Sequence, residues 1–502
     1  MSVAESPVKP LPALAAQAAA GPVREADIPR RKRIFVNRNL KMEDIGLIGF
    51  DMDYTLAIYH QAELERLSIE LTLQKLVKNR GYPDAVRRLE YRPERAVRGL
   101  VVDQQHGNLF KMDRHGHVGR VFHGMRALPH DERAELYRRE RIRLSAPRYA
   151  WIDTLFALPE AVMYQRLVDY LDAERPGQVK YAELWRDVRE CIDEAHRDDS
   201  LKSIIRADLP RFIDADTELA ATLHKLRSSG KRLFVLTNSL WDYTDAVMRY
   251  MLDGRLPAYA SWRSYFDIII VGGAKPGFFT DRQPFVELEP LSGKALGEVK
   301  GPLHRGHVYQ GGNIVDFESK TGVRGEHVLY VGDHIYGDIL RAKKSSVWRT
   351  AMIVQELEDE LALSERFAPR LRELDELDRR RRNLDAEIDY QQLLLRSLAR
   401  AGEDDGDPAA IEAARRRARL SLDELRGTVR EVEGTYDRLE REVDLAFNPY
   451  WGPMFKEGNE NSRFGEQVED YACLYTSRVS NFLAYSPLRY FRAPRAKMPH
   501  EL

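Results

Sequence analysis

The sequence predicts an α/β fold: a parallel sheet core, a mainly helical cap inserted after the motif that follows the first strand, and an added antiparallel helical hairpin. Three observations predict it. Four short apolar runs, at 45–48, 232–236, 266–271 and 327–331, each pass directly into a polar cluster. That is the pattern of strands buried on both faces of a parallel sheet. A long block of helix-spaced apolar residues separates the first run from the second, and leucines fall on alternating three- and four-residue spacing within 371–443. The latter spacing is the seam of a coiled coil.

Composition bounds the function. A chain of 502 residues is long enough for more than one domain. Its formal net charge of −1 is the balance of 78 basic and 79 acidic residues, so no charge excess points to nucleic acid or to a membrane surface. The two cysteines, Cys191 and Cys473, have the spacing of neither a metal site nor a disulfide framework. No apolar run approaches membrane-spanning length. The expectation is a soluble, cytoplasmic protein with no nucleic-acid or membrane partner.

In order, residues 1–33 are rich in Pro and Ala, end in Arg30-Arg31-Lys32-Arg33, and read as a disordered leader. Residues 34–60 carry the first strand and its turn. A helical pattern then runs to the stop signal Gly81-Tyr82-Pro83, and two short β-like runs at 98–103 and 107–113 suggest a small hairpin unit. From about 130 to 215 the pattern is mostly helical. Residues 61–215 are therefore read as a mainly helical insertion with a small β unit, and 34–60 with 216–355 as the core.

Residues 356–450 are expected to form the helical hairpin. Leu374, Leu377, Leu384, Ile388, Leu395 and Leu398 lie on one arm, and Leu422, Leu425, Val429, Val432, Tyr436, Leu439 and Val443 on the other. An assembly or regulatory arm and a hairpin that packs only on itself and the body are both open readings. Residues 451–502, with Tyr471, Tyr475, Phe482, Tyr485, Tyr490 and Phe491, are expected to pack on the core.

The chemistry is signalled where the strands end, because ligands of open α/β sheets bind beyond the carboxyl ends of the strands. Asp51 and Asp53 follow the first run two residues apart, so both look into one small space. Like charges that close call for a hard divalent cation. After the second run, Thr237 and Asn238 offer hydroxyl, amide and helix N-terminal N–H groups that suit a phosphate. Lys275 follows the third run, and Asp333 and Asp338 follow the fourth.

The stretch from Asp51 to Thr55 resembles the Asp-x-Asp-x-Thr motif of the haloacid dehalogenase (HAD) superfamily. The likeness extends further. Phe50-Asp51-Met52-Asp53-Tyr54-Thr55-Leu56-Ala57, Arg98-Gly99-Leu100-Val101, Gly107-Asn108-Leu109, Thr154-Leu155-Phe156, Ser261-Trp262-Arg263-Ser264-Tyr265-Phe266-Asp267, Gly332-Asp333-His334-Ile335-Tyr336-Gly337-Asp338 and Met498-Pro499-His500-Glu501 all resemble the cytosolic purine 5′-nucleotidases.

The resemblance implies a HAD-like core with residues 61–215 as its cap, and a Mg2+-dependent 5′-nucleotidase acting on purine nucleoside monophosphates of the IMP or GMP kind. Asp51 would be the nucleophile, Asp53 the acid and base, and Lys275, Thr237, Asn238 and Lys202 the phosphate partners. Mg2+ would be held by Asp51, the Asp53 carbonyl and Asp333, with Asp338 behind them. Phe156 and His196 would sandwich the base, and Arg189 and Asp193 would read its 6-oxo edge. Those last three share a helix face by their spacing, and an Arg donor with an Asp acceptor fits hypoxanthine or guanine better than adenine.

An effector pocket would involve Arg143, Asp153, Tyr336 and Lys344, and a homo-oligomer, dimer or tetramer, is expected. Asp153 and Ala157 stand where the family usually has asparagines, and Asp153 would repel a nucleotide triphosphate. The acidic C-terminal run is missing, and the hairpin looks longer and more regular than usual. Two alternatives accompany this reading: a phosphotransferase that passes the phosphoryl group to a nucleoside, and a nucleotide-responsive scaffold acting through the hairpin.

Overall fold

A computed structural model of the chain describes residues 24–138, 142–340, 347–400, 407–495, 498 and 501. It forms two compact units, one of residues 1–358 with 454–502 and one of 359–453.

The first unit is built on a ten-stranded sheet in which Leu47–Phe50 is a central strand. Its neighbours are Val328–Gly332 on one side and Arg232–Leu236 on the other, with Ile268–Val271 next to the latter, all parallel. The four runs that the sequence singles out are thus adjacent strands, and their carboxyl ends share one edge. The parallel block continues through Val308–Gly311 on one side and through Arg349–Ile353 and Leu474–Thr476 on the other. Antiparallel strands finish both flanks.

Apart from the exposed Arg232 at the start of one of them, the central strands are sequestered from water, which is why they are apolar without alternation. Phe234, Tyr330, Phe278, Phe317 and Trp348 pack together on one face of the sheet. The fit is close: a Cβ on Gly49 would stand 2.0 Å from the Phe234 ring, so only glycine lets that ring cross the first strand.

The segment expected to form the cap contains helices Gln61–Arg80, Leu158–Glu174, Tyr181–Arg197 and Ser200–Ala207. In Tyr181–Arg197 the buried residues Leu184, Trp185, Val188, Cys191, Ile192 and Ala195 recur every three or four positions, one apolar stripe facing its neighbours. Gln61–Arg80 ends where Gly81 takes a left-handed conformation (φ 73°).

The β insertion is larger than the expected hairpin. It is a five-stranded antiparallel sheet in which Tyr149–Ile152 pairs with Leu100–Asp103 from nearly fifty residues away. The strand Tyr149–Ile152 lies inside the block read as helical. Four residues are too few to show a period of their own, and long-range pairing decides their state.

The expected leader also ends earlier than residue 33. Glu25–Asp27 and Arg30–Lys32 form single 3-10 turns, Ile28 is buried between them, and Lys32 pairs with Glu218 at 2.7 Å. At the other end of the chain the Tyr485 hydroxyl accepts from Ile34 N at 3.0 Å, and Phe482 and Phe491 are buried.

The second unit contains an antiparallel pair of long helices, Ala368–Arg400 and Pro408–Phe447. Asp407 caps the second of these by accepting from Ala409 N at 3.0 Å. Its buried stripe is Ala418, Leu422, Val432, Tyr436, Leu439 and Val443, and the Arg381 guanidinium lies 5.4 Å from the Tyr436 ring centre. Among the described residues no helix is long and apolar enough to cross a membrane.

Candidate active site

Four of the expected site residues arrive from the ends of three of these four neighbouring strands, Asp51 after Leu47–Phe50, Asp333 and Asp338 after Val328–Gly332, and Lys275 after Ile268–Val271. Asp51 leaves the first strand with its N–H donating to Val331 O at 2.9 Å, so its register is set by the neighbouring strand. Lys275 reaches in beside it, its ammonium 2.9 Å from Asp51 Oδ1 and 2.7 Å from Asp338 Oδ1. It also donates to the Tyr330 hydroxyl at 2.9 Å. The carboxylates of Asp51, Asp333 and Asp338 offer oxygens that all lie within 4.8 Å of one another, and all three residues are buried.

Asp338 thus stands in the cluster with Asp51 and Lys275, where the sequence expectation put it behind. Gly332 makes room for it, since a Cβ there would stand 2.6 Å from Asp338 Oδ2.

This concentration of like charge is costly on its own. Burial pushes the Asp51 carboxyl well above its ordinary range, with Asp338, Asp333 and Asp53 adding to the shift and Lys275 opposing it. Asp333 is pushed up to about 7, by burial first and then by Asp338. Burial alone would lower Lys275, yet Asp338 and Asp51 hold it well above the usual lysine value.

One ammonium does not balance three buried carboxylates, and among the described residues Asp333 Oδ2 has no hydrogen-bond partner despite being buried. Hard, anionic oxygens converging on one point fit a divalent cation of the Mg2+ kind. Asp51, Asp333 and Asp338 are the side chains that would hold it.

Asp53 turns its side chain elsewhere. Its Oδ1 accepts from the Tyr59 hydroxyl at 2.6 Å, and its Oδ2 from Ser239 Oγ at 2.7 Å and Thr237 Oγ1 at 3.5 Å. Tyr59 is 2.8 Å from the Tyr243 hydroxyl, and burial holds both phenols protonated. Asn238 grips the main chain of Lys275 from both sides, accepting from its N–H at 2.6 Å and donating to its carbonyl at 2.9 Å. Lys202 donates to Ser239 Oγ at 3.4 Å and lies 5.0 Å from the Tyr243 ring centre.

A cavity of about 230 Å3 opens over Asp53, lined by Tyr59, Leu64, Phe156, His196, Leu201, Lys202, Ile205, Asn238, Ser239 and Tyr243. Phe156 and His196 both reach it, but their rings meet edge to face at 5.8 Å and 83° instead of lying parallel with a gap for a base. Burial, helped by Lys202, lowers the His196 pKa to about 4, so its ring is neutral.

Arg189 and Asp193 do not line the cavity. Arg189 donates to the buried carboxylate of Glu160 at 3.0 Å, and Asp193 is exposed. Of the expected effector residues, two have described side chains. Arg143 lines a separate cavity with Arg114, Arg138 and His117, whereas Asp153 pairs with His334 at 3.3 Å. The Tyr336 backbone lies in the turn Ile335–Leu340, and Lys344 is outside the described residues.

Tyr59, Tyr243 and Glu160 escape a reading of sequence alone, because each matters through a partner far along the chain. Ser239 had a signal, standing next to Thr237 and Asn238 at the same strand end.

Comparison with known proteins identifies a family for the chain. Residues 34–502 match the model of the 5′ nucleotidase family. A 5′-nucleotidase domain-containing protein of Dictyostelium discoideum is 29% identical over 476 residues, 93% of this chain and 74% of that protein. The human 5′-nucleotidase domain-containing protein 2 is 33% identical over 342 residues, 66% of this chain and 64% of that protein. Among solved structures, a HAD phosphatase from Thermococcus onnurineus aligns with 62% of this chain and 87% of its own, at 13% identity and a TM-score of 0.27. With a family match from residue 34 to its last residue, the chain belongs to the 5′ nucleotidase family of phosphoric monoester hydrolases.

Proposed function

We propose that this chain hydrolyses purine nucleoside 5′-monophosphates, with Mg2+, through an aspartyl phosphate on Asp51. The observation that carries the reading is the buried Asp51–Lys275–Asp338 arrangement, with Asp333 beside it and a cavity of about 230 Å3 opening over Asp53.

In this reading Asp51 attacks phosphorus, which divides one hard displacement into two easier ones. Lys275 meets the charge that builds on the phosphoryl oxygens, with Asn238 holding its main chain in place and Thr237 and Lys202 nearby. Asp53 gives a proton to the departing nucleoside oxygen. It then takes one from the water that hydrolyses the aspartyl phosphate. Bound at Asp51, Asp333 and Asp338, Mg2+ would supply charge neutralisation and orient the phosphate. Phe156, His196 and the apolar side chains Leu64, Leu201 and Ile205 suit a flat, mostly apolar base. Arg189, with Glu160 and Asp193, would select among bases from behind that wall.

Phosphate release from a panel of nucleoside monophosphates, with Mg2+ and with a chelator, tests the reading. We expect Mg2+-dependent release that falls at least about a thousandfold in Asp51→Asn. Absence of release from every nucleotide with Mg2+, or undiminished activity in Asp51→Asn, overturns it.

A further inference from the structure

We propose that Tyr59 is a positioning residue for Asp53, part of a one-way hydrogen-bond chain from Tyr243 through Tyr59 to the carboxylate that handles the leaving-group proton. The inference rests on the reading of Asp53 as acid and base.

The chain has a direction because a phenol carries one proton. In the 2.6 Å contact Tyr59 is the donor and Asp53 Oδ1 the acceptor, and that oxygen still accepts when the proton for the leaving group sits on Oδ2. That uses the only Tyr59 proton. The 2.8 Å contact between the two phenols must then run from the Tyr243 O–H to the Tyr59 oxygen. Each bond polarises the next, and both tyrosines are buried, 4% and 2% exposed, where such bonds are strongest.

The aim of Tyr59 is set from several sides. Its ring packs 5.0 Å from Tyr54 and 6.4 Å from Phe156. Its main chain lies in the short strand Ile58–Tyr59, which pairs with Ile213–Asp214. On the other side of the carboxylate, Ser239 Oγ holds Oδ2 at 2.7 Å. Both oxygens of Asp53 are therefore oriented by side chains that do not reach the Asp51 cluster. Losing one hydroxyl would let the carboxylate turn while leaving the nucleophile untouched.

The leaving group gives a readout that separates positioning from mere structure. A nucleoside alkoxide needs a proton as it departs, whereas p-nitrophenolate does not. The parameter kcat/KM covers the steps up to the first phosphoryl transfer, before Asp53 acts on water. In Tyr59→Phe we expect kcat/KM for the best nucleoside monophosphate to fall about 10- to 100-fold, within the range of general acid catalysis, and kcat/KM for p-nitrophenyl phosphate to change less than about threefold. Asp53→Asn should lower kcat/KM for the nucleotide further than Tyr59→Phe does.

Tyr243→Phe should give a weaker version of the Tyr59→Phe pattern. It also serves as the test if Tyr59→Phe melts well below the wild type. An equal fall for both substrates, or no fall for the nucleotide, overturns the inference. If the wild type hydrolyses p-nitrophenyl phosphate but no nucleotide, the proposed substrate is wrong and the inference falls with it. That outcome is read in the wild type, before any variant.

Discussion

Arg98 and Glu356 form a forked ion pair beneath the Asp333 loop. The Arg98 Nε and Nη2 donate to the two Glu356 oxygens at 2.7 and 2.6 Å, while Nη1 donates to the main-chain carbonyl of Asp333 at 3.0 Å. The guanidinium is wholly buried and lies 5.1 Å from the Phe464 ring centre. Removing one partner of such a pair leaves the other charge uncompensated, at about 3 kcal/mol. Arg98→Met should therefore lower stability by about that amount in urea titrations. The double variant Arg98→Met/Glu356→Leu should recover most of the loss, since no lone charge remains. Activity should stay low in both, because the Asp333 carbonyl has lost its donor in each. A double variant with wild-type activity would mean that Arg98 serves stability alone.

The pair also marks how far the sequence could be read. Its members are 258 positions apart, and nothing in either neighbourhood announces the other. The residues proposed as catalytic were legible for the opposite reason. Asp51, Lys275 and Asp333 each follow an apolar run long enough to identify as a strand, and parallel strands place their carboxyl ends side by side. Once the four runs are neighbours, as they are, convergence follows. Arg189 shows the limit of helical spacing: it shares a face with Asp193, yet its partner is Glu160, on another helix. The five-stranded antiparallel sheet was hidden similarly, in strands too short to outweigh helical surroundings without their partners.

Glu65 gives a prediction about pH. It is buried on the helix Gln61–Arg80, where its carboxylate accepts from Gln61 and Tyr91. Burial raises its pKa from 4.5 to about 7, against those hydrogen bonds and with some help from Glu356. The folded state therefore holds the proton more tightly than the unfolded one. The stability that this contributes is present below about pH 4.5 and is lost as pH rises through about 7. Glu65→Gln removes the dependence. Between pH 5 and 8 the stability difference should move in favour of the variant by about 2 kcal/mol, with contributions common to both proteins cancelling. Denaturant titrations of both proteins at the two pH values measure it, and a constant difference would contradict the assignment.

His196 gives the complementary case. Burial, with Lys202 adding to it, lowers its pKa to about 4, so above about pH 5 the ring beside Phe156 carries no charge. If that ring helps to hold the base, His196→Ala should raise KM for the preferred nucleotide about tenfold, the scale of one aromatic contact. His196→Phe should restore most of the loss, because it keeps a flat, neutral surface. The ratio of wild-type KM to His196→Phe KM should stay flat from about pH 5.5 to 8.5, since the nucleotide's own phosphate titration affects both equally. A bend in that ratio near the ordinary histidine value would show that the ring is charged when substrate binds. His196 would then be recognising the phosphate or a base carbonyl, with stacking secondary.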